Sequence, residues 1–283
     1  MPSTELSLGV TLAVLAAGLL HASWNALLKS AAGEPMLDTA LIVTWSCLLS
    51  FPMLFFVPMI DAAAWPFMLA SMIVHFAYYG LLAGAYKRGD LSFAYPLMRG
   101  VAPLITTVLG VVFLGERLDA QTLLGIGLIS AGILTIAWFA GGKHTGAAAG
   151  FALANAAVIA VYTLIDGAGA RASGNALSYV LWLTCIEGTP FAAYVLWTRG
   201  RPAVDYMKLR WRRGVLGGAA SIAAYAIVLW AMTLAPIAVV AALREVSVVF
   251  AALIGTLLLK EAMGWRRLAG AVGVVAGIAA LKL

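Results

Sequence analysis

The chain has 283 residues, of which 63% are hydrophobic and 11% charged, and its formal charge is +6 at pH 7. A soluble domain carries roughly 45–50% apolar and about 25% charged residues, so this composition excludes a water-soluble enzyme or binding module and indicates an integral membrane protein. At about 20 residues per membrane-crossing helix, the length holds about ten spans and leaves no room for a soluble domain.

In chain order, the apolar runs place spans near Leu8 to Leu28, Leu37 to Pro58, Trp65 to Tyr86, Ser92 to Leu114 and Thr122 to Phe139. A second set follows near Ala147 to Ile165, Leu177 to Trp197, Gly214 to Thr233, Ile237 to Leu259 and Trp265 to Leu281. Breaks fall at Gly33-Glu34-Pro35, Asp61 to Pro66, Arg88-Gly89-Asp90, Gly141 to His144, Arg171 to Asn175 and the basic stretch Arg199 to Arg213, where turn chemistry and charge interrupt the apolar pattern. The first run has no basic leader and no small-residue cleavage site, so it is expected to remain as a span.

Polar residues inside spans are the candidates for function, because each must face protein or a water-filled cavity. In the first span His21, Trp24, Asn25 and Lys29 recur at spacings of three and four, which puts them along one strip of a helix. The strip is either a cavity wall or helix packing with Lys29 reaching for the interface. His75 in the third span, beside Tyr78 and Tyr79, is expected to pack, with a coupling role as the alternative. Tyr95 and Arg99 lie in the fourth span. An arginine at the centre of a membrane helix costs about 2.5–3.5 kcal/mol even on lenient scales. Its planar fork suits a carboxylate, phosphonate or phosphate on a substrate, or else it bridges to Glu187, Glu245 or backbone carbonyls. The sixth span offers Asn155, Tyr162 and Asp166, with Asp166 near the span end and expected to touch water. Glu187 lies mid-span beside Gly188 and Pro190, where proline removes a backbone donor and a kink is expected. That setting suits proton coupling or a substrate ammonium, or a counter-ion for an arginine. In the ninth span Arg244 and Glu245 are adjacent and point about 100° apart in a regular helix, so their mutual neutralisation does not follow.

The stretch from Tyr86 to Trp138 returns between Ala231 and Leu281 with an offset of 145 residues, which aligns Arg99 with Arg244, Glu116 with Glu261, Gly125 with Gly270 and Gly132 with Gly277. Five spans per half is an odd number, so the halves, 1–142 and 143–283, are expected to be inverted repeats related by a pseudo-two-fold axis in the membrane plane. The axis would bring Arg99 and Arg244 to one central cavity. Thirteen lysines and arginines fall in the connections between spans 1–2, 3–4, 5–6, 7–8 and 9–10 and three on the opposite side, so the first set is expected to be cytoplasmic.

The half-terminal signatures Phe113-Leu114-Gly115-Glu116-Arg117-Leu118 and Leu258-Leu259-Lys260-Glu261, each followed by a glycine-rich span, resemble those of EamA-type members of the drug/metabolite transporter superfamily. Trp24, late in the first span, fits the same pattern. The resemblance covers the whole chain in two copies, with Lys260 where a glycine is usual. It implies an all-α membrane protein of ten transmembrane helices in two inverted five-helix repeats. Such a protein would be a secondary transporter of small metabolites in a bacterial inner membrane, with no cofactor. The segments HASWNALLKS, YPLMRGVAPL and LREVSVVF resemble a subgroup associated with phosphonate utilisation.

The remaining motifs are structural. Gly80-x-x-x-Gly84 and Gly273-x-x-x-Gly277 are expected to let helices approach closely. Gly125-x-Gly127 lacks the strand and third glycine of a dinucleotide fingerprint. Cys47 and Cys185 lie in apolar runs without metal or disulfide spacing and are expected to pack. With no phosphate loop, nucleophile elbow or metal cluster in the sequence, the expected function is alternating-access transport of an anionic or zwitterionic solute such as an amino acid or aminophosphonate. Arg99, Arg244, Trp24, Asn25, His21, Glu187 and Tyr95 are the candidate substrate contacts. Glu187, Glu245 and His75 are the candidates for coupling to a proton or counter-substrate; no nucleic acid is expected as partner. The competing expectations are export of hydrophobic or cationic solutes with structural arginines, an intramembrane enzyme acting on lipid through His21, His75 and Glu187, and a non-transporting membrane protein.

Overall fold

Helix ends form where the sequence supplies caps. Asp119 accepts a 2.7 Å bond from the Thr122 amide, Thr145 a 3.1 Å bond from Ala148, and Asn175 a 3.0 Å bond from Ser178, each satisfying a donor that the first helical turn leaves open. The Thr122 bonds hold the exposed Asp119 carboxyl below its usual range. A computed structural model describes residues 7–29, 35–139, 145–257 and 264–282. The side chain of Lys29, the turn residues Gly33 and Glu34, the stretch Gly141 to His144, and Lys260 and Glu261 of the second signature lie outside the description.

Among the described residues all regular structure is helical. The order is α1 (Leu8–Lys29), α2 (Pro35–Met53), a one-turn 3-10 helix (Ala62–Ala64), α3 (Trp65–Arg88), α4 (Leu91–Leu114), α5 (Ala120–Trp138) and α6 (Gly146–Ala172). It continues with α7 (Ala176–Arg199), α8 (Arg201–Leu209), α9 (Trp211–Leu234), α10 (Ile237–Arg244), α11 (Ser247–Leu257) and α12 (Trp265–Lys282). Nine segments here are long and apolar enough to cross a bilayer, α10 and α11 together supplying one, and Leu268–Leu281 within α12 is a shorter apolar tenth. Rings such as Phe56, Phe113 and Trp138 stand exposed on the outside, which lipid tolerates and water would not.

The two halves obey the 145-residue offset element by element, and their contacts show the inversion directly. A Cβ placed on Gly132 would lie 2.7 Å from the Gly270 carbonyl oxygen, and one placed on Gly270 would lie 2.7 Å from that of Gly132. Gly125 and Gly277 exchange the same contact, at 3.0 and 2.7 Å. Since Gly125 corresponds to Gly270 and Gly132 to Gly277, matched residues meet in reciprocal pairs, as an antiparallel two-fold crossing of α5 on α12 requires. The same axis passes through the α2–α7 contact, where Gly188 packs on Val43, its own counterpart, and on Cys47.

Four expectations need correction. The ninth span is not one helix: α10 stops at Arg244, and the amides of Glu245, Val246 and Val248 bond three residues back. This tight turn re-aims Glu245, which a regular helix would hold about 100° from Arg244. The basic stretch Arg199 to Arg213 contains the helix α8, whose Ala203 and Met207 pack on Ala40 and Val195 while Arg201 and Lys208 face out. Tyr206 of α8 donates a 2.5 Å bond to Asp38, and partial burial together with this carboxylate pushes its phenol up to about 12. Gly80 has open space where a side chain would sit, so only Gly84 of its pair makes a close approach, to Phe151. Asp166 is fully buried rather than wet, because α6 continues to Ala172 and carries it inside the bundle. Pro190 lies within α7, which is helical throughout.

The crossing of α5 and α12 yields a test. Gly132→Val would press a branched side chain into the α12 backbone and is expected to destabilise the protein by about 1–3 kcal/mol, seen as a lower midpoint of thermal unfolding in detergent. Gly127→Ala, at a position with nothing within 4 Å, serves as the control. Equal stability of the two variants would refute the close crossing.

Candidate functional site

A cavity with two lobes enters the bundle from the end that carries the α1–α2, α3–α4 and α7–α9 connections, here the basic end. The outer lobe, about 380 Å³, lies between α2, α3, α7 and α9 and reaches Thr39 and Tyr86 near that end. The inner lobe, about 230 Å³, lies against α1, α4, α6, α9 and α10. Trp24, Asn25, Tyr78, Tyr95 and Tyr225 border both lobes. Departure from the two-fold symmetry creates this opening. Gly214, Gly217 and Gly218 seat α9 closely on Trp45, Ile42 and Ser46 of α2, whereas the equivalent pair, α3 and α7, meets more sparsely through Trp65 on Trp182 and Tyr79 on Phe191.

The opposite, terminal end is closed by the first signature. Gly115 takes a left-handed conformation, φ 64°, which glycine adopts without strain, and turns the chain so that Glu116 folds back. Its carboxylate accepts bonds of 2.5 Å from the Ile237 amide and 3.2 Å from the Ala238 amide at the start of α10, where the helix dipole favours a negative charge. Arg171 approaches the same carboxylate at 3.5 Å and bonds the carbonyls of Met232 and Ala235 at 2.8 and 2.9 Å. One acid and one arginine thus tie together α4, α6, α9 and α10.

At the floor of the inner lobe, Arg99 stands eight residues into α4, about 12 Å from the basic end, and Arg244 seven residues into α10, about 11 Å from the terminal end. They are 7% and 8% exposed, and Glu245 is 1% exposed. Glu245 Oε2 lies 2.6 Å from Arg99 Nε, and Oε1 lies 3.8 Å from Arg244 Nη2. Two guanidinium groups therefore share one carboxylate. The Arg99 contact is close but off the hydrogen-bonding line, so Arg99 Nε and Nη2, Arg244 Nε and the Trp24 indole nitrogen have no acceptor among the described residues. His21 stands edge-on to Trp24 at 5.2 Å, and the Arg99 guanidinium is 6.0 Å from the Tyr95 ring centroid. Asn25 donates to the His21 carbonyl at 2.7 Å.

A second polar group stands behind the wall of the outer lobe. Glu187 lines that lobe, pairs with His75 Nδ1 at 3.0 Å and accepts a 3.2 Å bond from the Ser71 hydroxyl. Deeper in, Asp166 accepts hydrogen bonds from the hydroxyls of Tyr179 and Tyr225. His75 packs against Tyr162 with the rings tilted by 35° and their centroids 4.4 Å apart, and Tyr162 lines the inner lobe.

Arg99, Arg244, Trp24, Asn25, His21 and Tyr95 line the inner lobe, and Glu187 the outer one. Glu245 stands behind the arginines as their counter-ion and His75 behind Glu187, so neither borders the lobes. His75 packs against Tyr78 and Tyr162 as expected, and its Nδ1 also lies 3.0 Å from the Glu187 carboxylate. Tyr78, Tyr162, Ser221 and Tyr225 also border the cavity, and an isolated hydroxyl in an apolar run is the only sequence signal they give. Among the described residues no three His, Cys, Asp or Glu side chains are placed to hold a metal ion.

The sequence profile of the EamA-like transporter family matches residues 7–138 and again 146–283. Among curated proteins none matches the chain. A solved crystal structure at 20% sequence identity aligns with a TM-score of 0.74 over 99% of this chain and 99% of its own; at that identity it speaks for the fold.

Removing the shared carboxylate strands two buried cations, whereas removing Arg99 leaves a pair. Glu245→Gln is therefore expected to cost about 3 kcal/mol of stability, and Arg99→Gln clearly less, both read from thermal unfolding in detergent. If Arg99→Gln proved the more damaging, the shared-carboxylate arrangement would be wrong.

Proposed function

The chain belongs to the EamA-like transporter family, and from that premise we propose that it carries a small anionic or zwitterionic solute by alternating access, bound in the inner lobe. One observation carries this reading: two guanidinium groups share a single carboxylate and keep unpaired donors at the wall of a mid-depth cavity. Burying a charge without a partner is costly. A carboxylate, phosphonate or phosphate on the solute would supply the missing charge and accept from Arg99, Arg244 and the Trp24 indole. A cationic end of the same solute would lie toward Glu187, with the rings of Tyr78 and Tyr95 between. An amino acid or an aminophosphonate has this charge distribution, and the second agrees with the resemblance to the phosphonate-associated subgroup.

The packing supports a carrier caught in one of two states. The terminal end is tied by Glu116 and Arg171, and the cavity runs toward the basic end. Inverted repeats switch by exchanging the conformations of their halves. The close α2–α9 contact and the sparser α3–α7 contact are then two forms of one interface. A bacterial inner membrane is the expected location. A second reading, export of a hydrophobic or cationic solute, draws on Glu245, which already bridges both arginines, and on the aromatic walls.

A ligand panel separates them. Purified protein in detergent, heated with amino acids, aminophosphonates, phosphate esters or organic cations, should be stabilised by about 2.7 kcal/mol when a ligand is present at about 100 times its dissociation constant. Anions or zwitterions are expected to stabilise the wild type and not Arg99→Gln. Stabilisation by cations alone, or equal stabilisation of the variant, would make the arginines structural and reassign the substrate.

A further inference from the structure

Asp166 is the one carboxylate of the polar interior whose hydrogen-bond partners, among the described residues, are all neutral hydroxyls. Tyr179 of α7 and Tyr225 of α9 donate to it, while the nearby Ser71 hydroxyl of α3 is given to Glu187. Of the charged groups around it, Glu187 of α7 has the same sign, and His75 of α3 is engaged by Glu187 at 3.0 Å. The nearest arginine on its own helix, Arg171, is turned away to Glu116 and to the Met232 and Ala235 carbonyls. A buried carboxylate with no cation of its own is stable only when something supplies positive charge. The site offers no metal-ligand grouping, and a proton fits a space enclosed by hydroxyls.

The repeat adds an independent observation. The 145-residue offset aligns Asp166 with His21. In the present state His21 lines the inner lobe, while Asp166, its counterpart across the pseudo-two-fold axis, is shut away with 0% exposure behind Tyr225 and Tyr162. Switching an inverted-repeat carrier exchanges the environments of such a pair. The buried acid is then uncovered when the other end opens.

We propose that Asp166 is an alternately exposed proton site that couples proton movement to transport. The inference rests on the alternating-access reading given above and adds the driving ion. Tyr225 is the link to substrate, since it borders both lobes and its single O–H can be given to one acceptor at a time. An ionised Asp166 claims that hydrogen. A proton arriving from water onto an Asp166 oxygen releases it toward the cavity, where an anion can take it, so proton and anion favour each other's binding. The proton leaves a hydronium ion and forms one O–H bond on Asp166, while the Tyr225 O–H bond stays whole and only changes its acceptor.

The test has two arms, using the intact protein and Asp166→Asn, with Tyr225→Phe as a second variant should the first fold poorly. In the first arm, infrared spectra of ligand-free protein are recorded across a pH series. A titrating carboxyl band present in the wild type is expected to vanish in Asp166→Asn and to shift in Tyr225→Phe; an unchanged titration in both overturns the proton site. In the second, proteoliposomes receive 2-aminoethylphosphonate or inorganic phosphate as probe, with and without a pH gradient. The wild type is expected to accumulate a probe under the gradient. Asp166→Asn should keep exchange of internal for external probe and lose gradient-driven accumulation, and the pH dependence of probe affinity, roughly 5- to 150-fold for a coupling of ordinary size, should disappear with it. Accumulation that survives in Asp166→Asn, or that follows a sodium gradient instead, overturns the coupling. If neither probe binds or moves in the wild type, the anion reading has failed, and the infrared arm decides the proton site alone.

Discussion

Two positive charges held by one negative charge at the centre of a bilayer set the terms for the rest of this protein. Hydrocarbon offers no counter-ion and no hydrogen bond, so the arrangement survives only if helices from both halves converge on it. They do: α4 supplies Arg99 and the α10–α11 break supplies Arg244 and Glu245. A regular helix would spread neighbouring side chains apart. The tight turn after Arg244 exchanges some helical hydrogen bonding for the freedom to aim both at the cavity floor, and a protein-lined cavity is the one place at that depth where such irregular backbone is tolerated.

The duplication is faithful in architecture and unfaithful in charge, and the difference is where chemistry resides. Arg99 and Arg244 correspond, but Glu245 falls on Gly100, Asp166 on His21 and Glu187 on Ile42. Among the described residues, the three carboxylates gathered around the cavity, Asp166, Glu187 and Glu245, therefore belong to the second half. A fully symmetric interior would present two arginines with no acid or with two. The single shared acid leaves a net positive charge for a ligand to meet, and the displaced acids Asp166 and Glu187 form a separate group about His75 and Ser71.

Much of this was legible in the sequence, because membrane architecture is written in long apolar runs and the duplication in a fixed offset. The offset placed every major helix, and the odd span count implied the inversion that the reciprocal glycine contacts display. What escaped were features decided by contact rather than by run length. At the break Glu245 meets Arg99 of another helix, a contact that run length does not show. Apolar run length ends the sixth span at Ile165, whereas α6 continues to Ala172 and carries Asp166 inside the bundle. Gly80 and Gly84 share one spacing pattern, yet only Gly84 meets a neighbour, since a motif names a helix face and not what lies opposite it. The helix α8 is masked by charge: six basic residues in Arg199 to Arg213 read as loop, although Ala203 and Met207 have helical spacing to pack inward.

Position relative to the pseudo-two-fold axis separates the polar groups by what a switch of state would ask of them. Groups on the axis keep their neighbours when the halves exchange conformation, and groups off it trade places with their counterparts. Arg99 and Arg244 are counterparts that meet at one carboxylate, so they stand close to the axis, and their ion pairs can persist through the cycle without being broken in hydrocarbon at a cost of several kcal/mol. His21 and Asp166 are counterparts in unlike surroundings, one at the cavity wall and the other enclosed by tyrosines. On the proposed cycle, the axis would sort a lasting charge that holds a solute from an exchanging one that carries a proton. That division follows from the symmetry together with two residues close to the axis and two away from it.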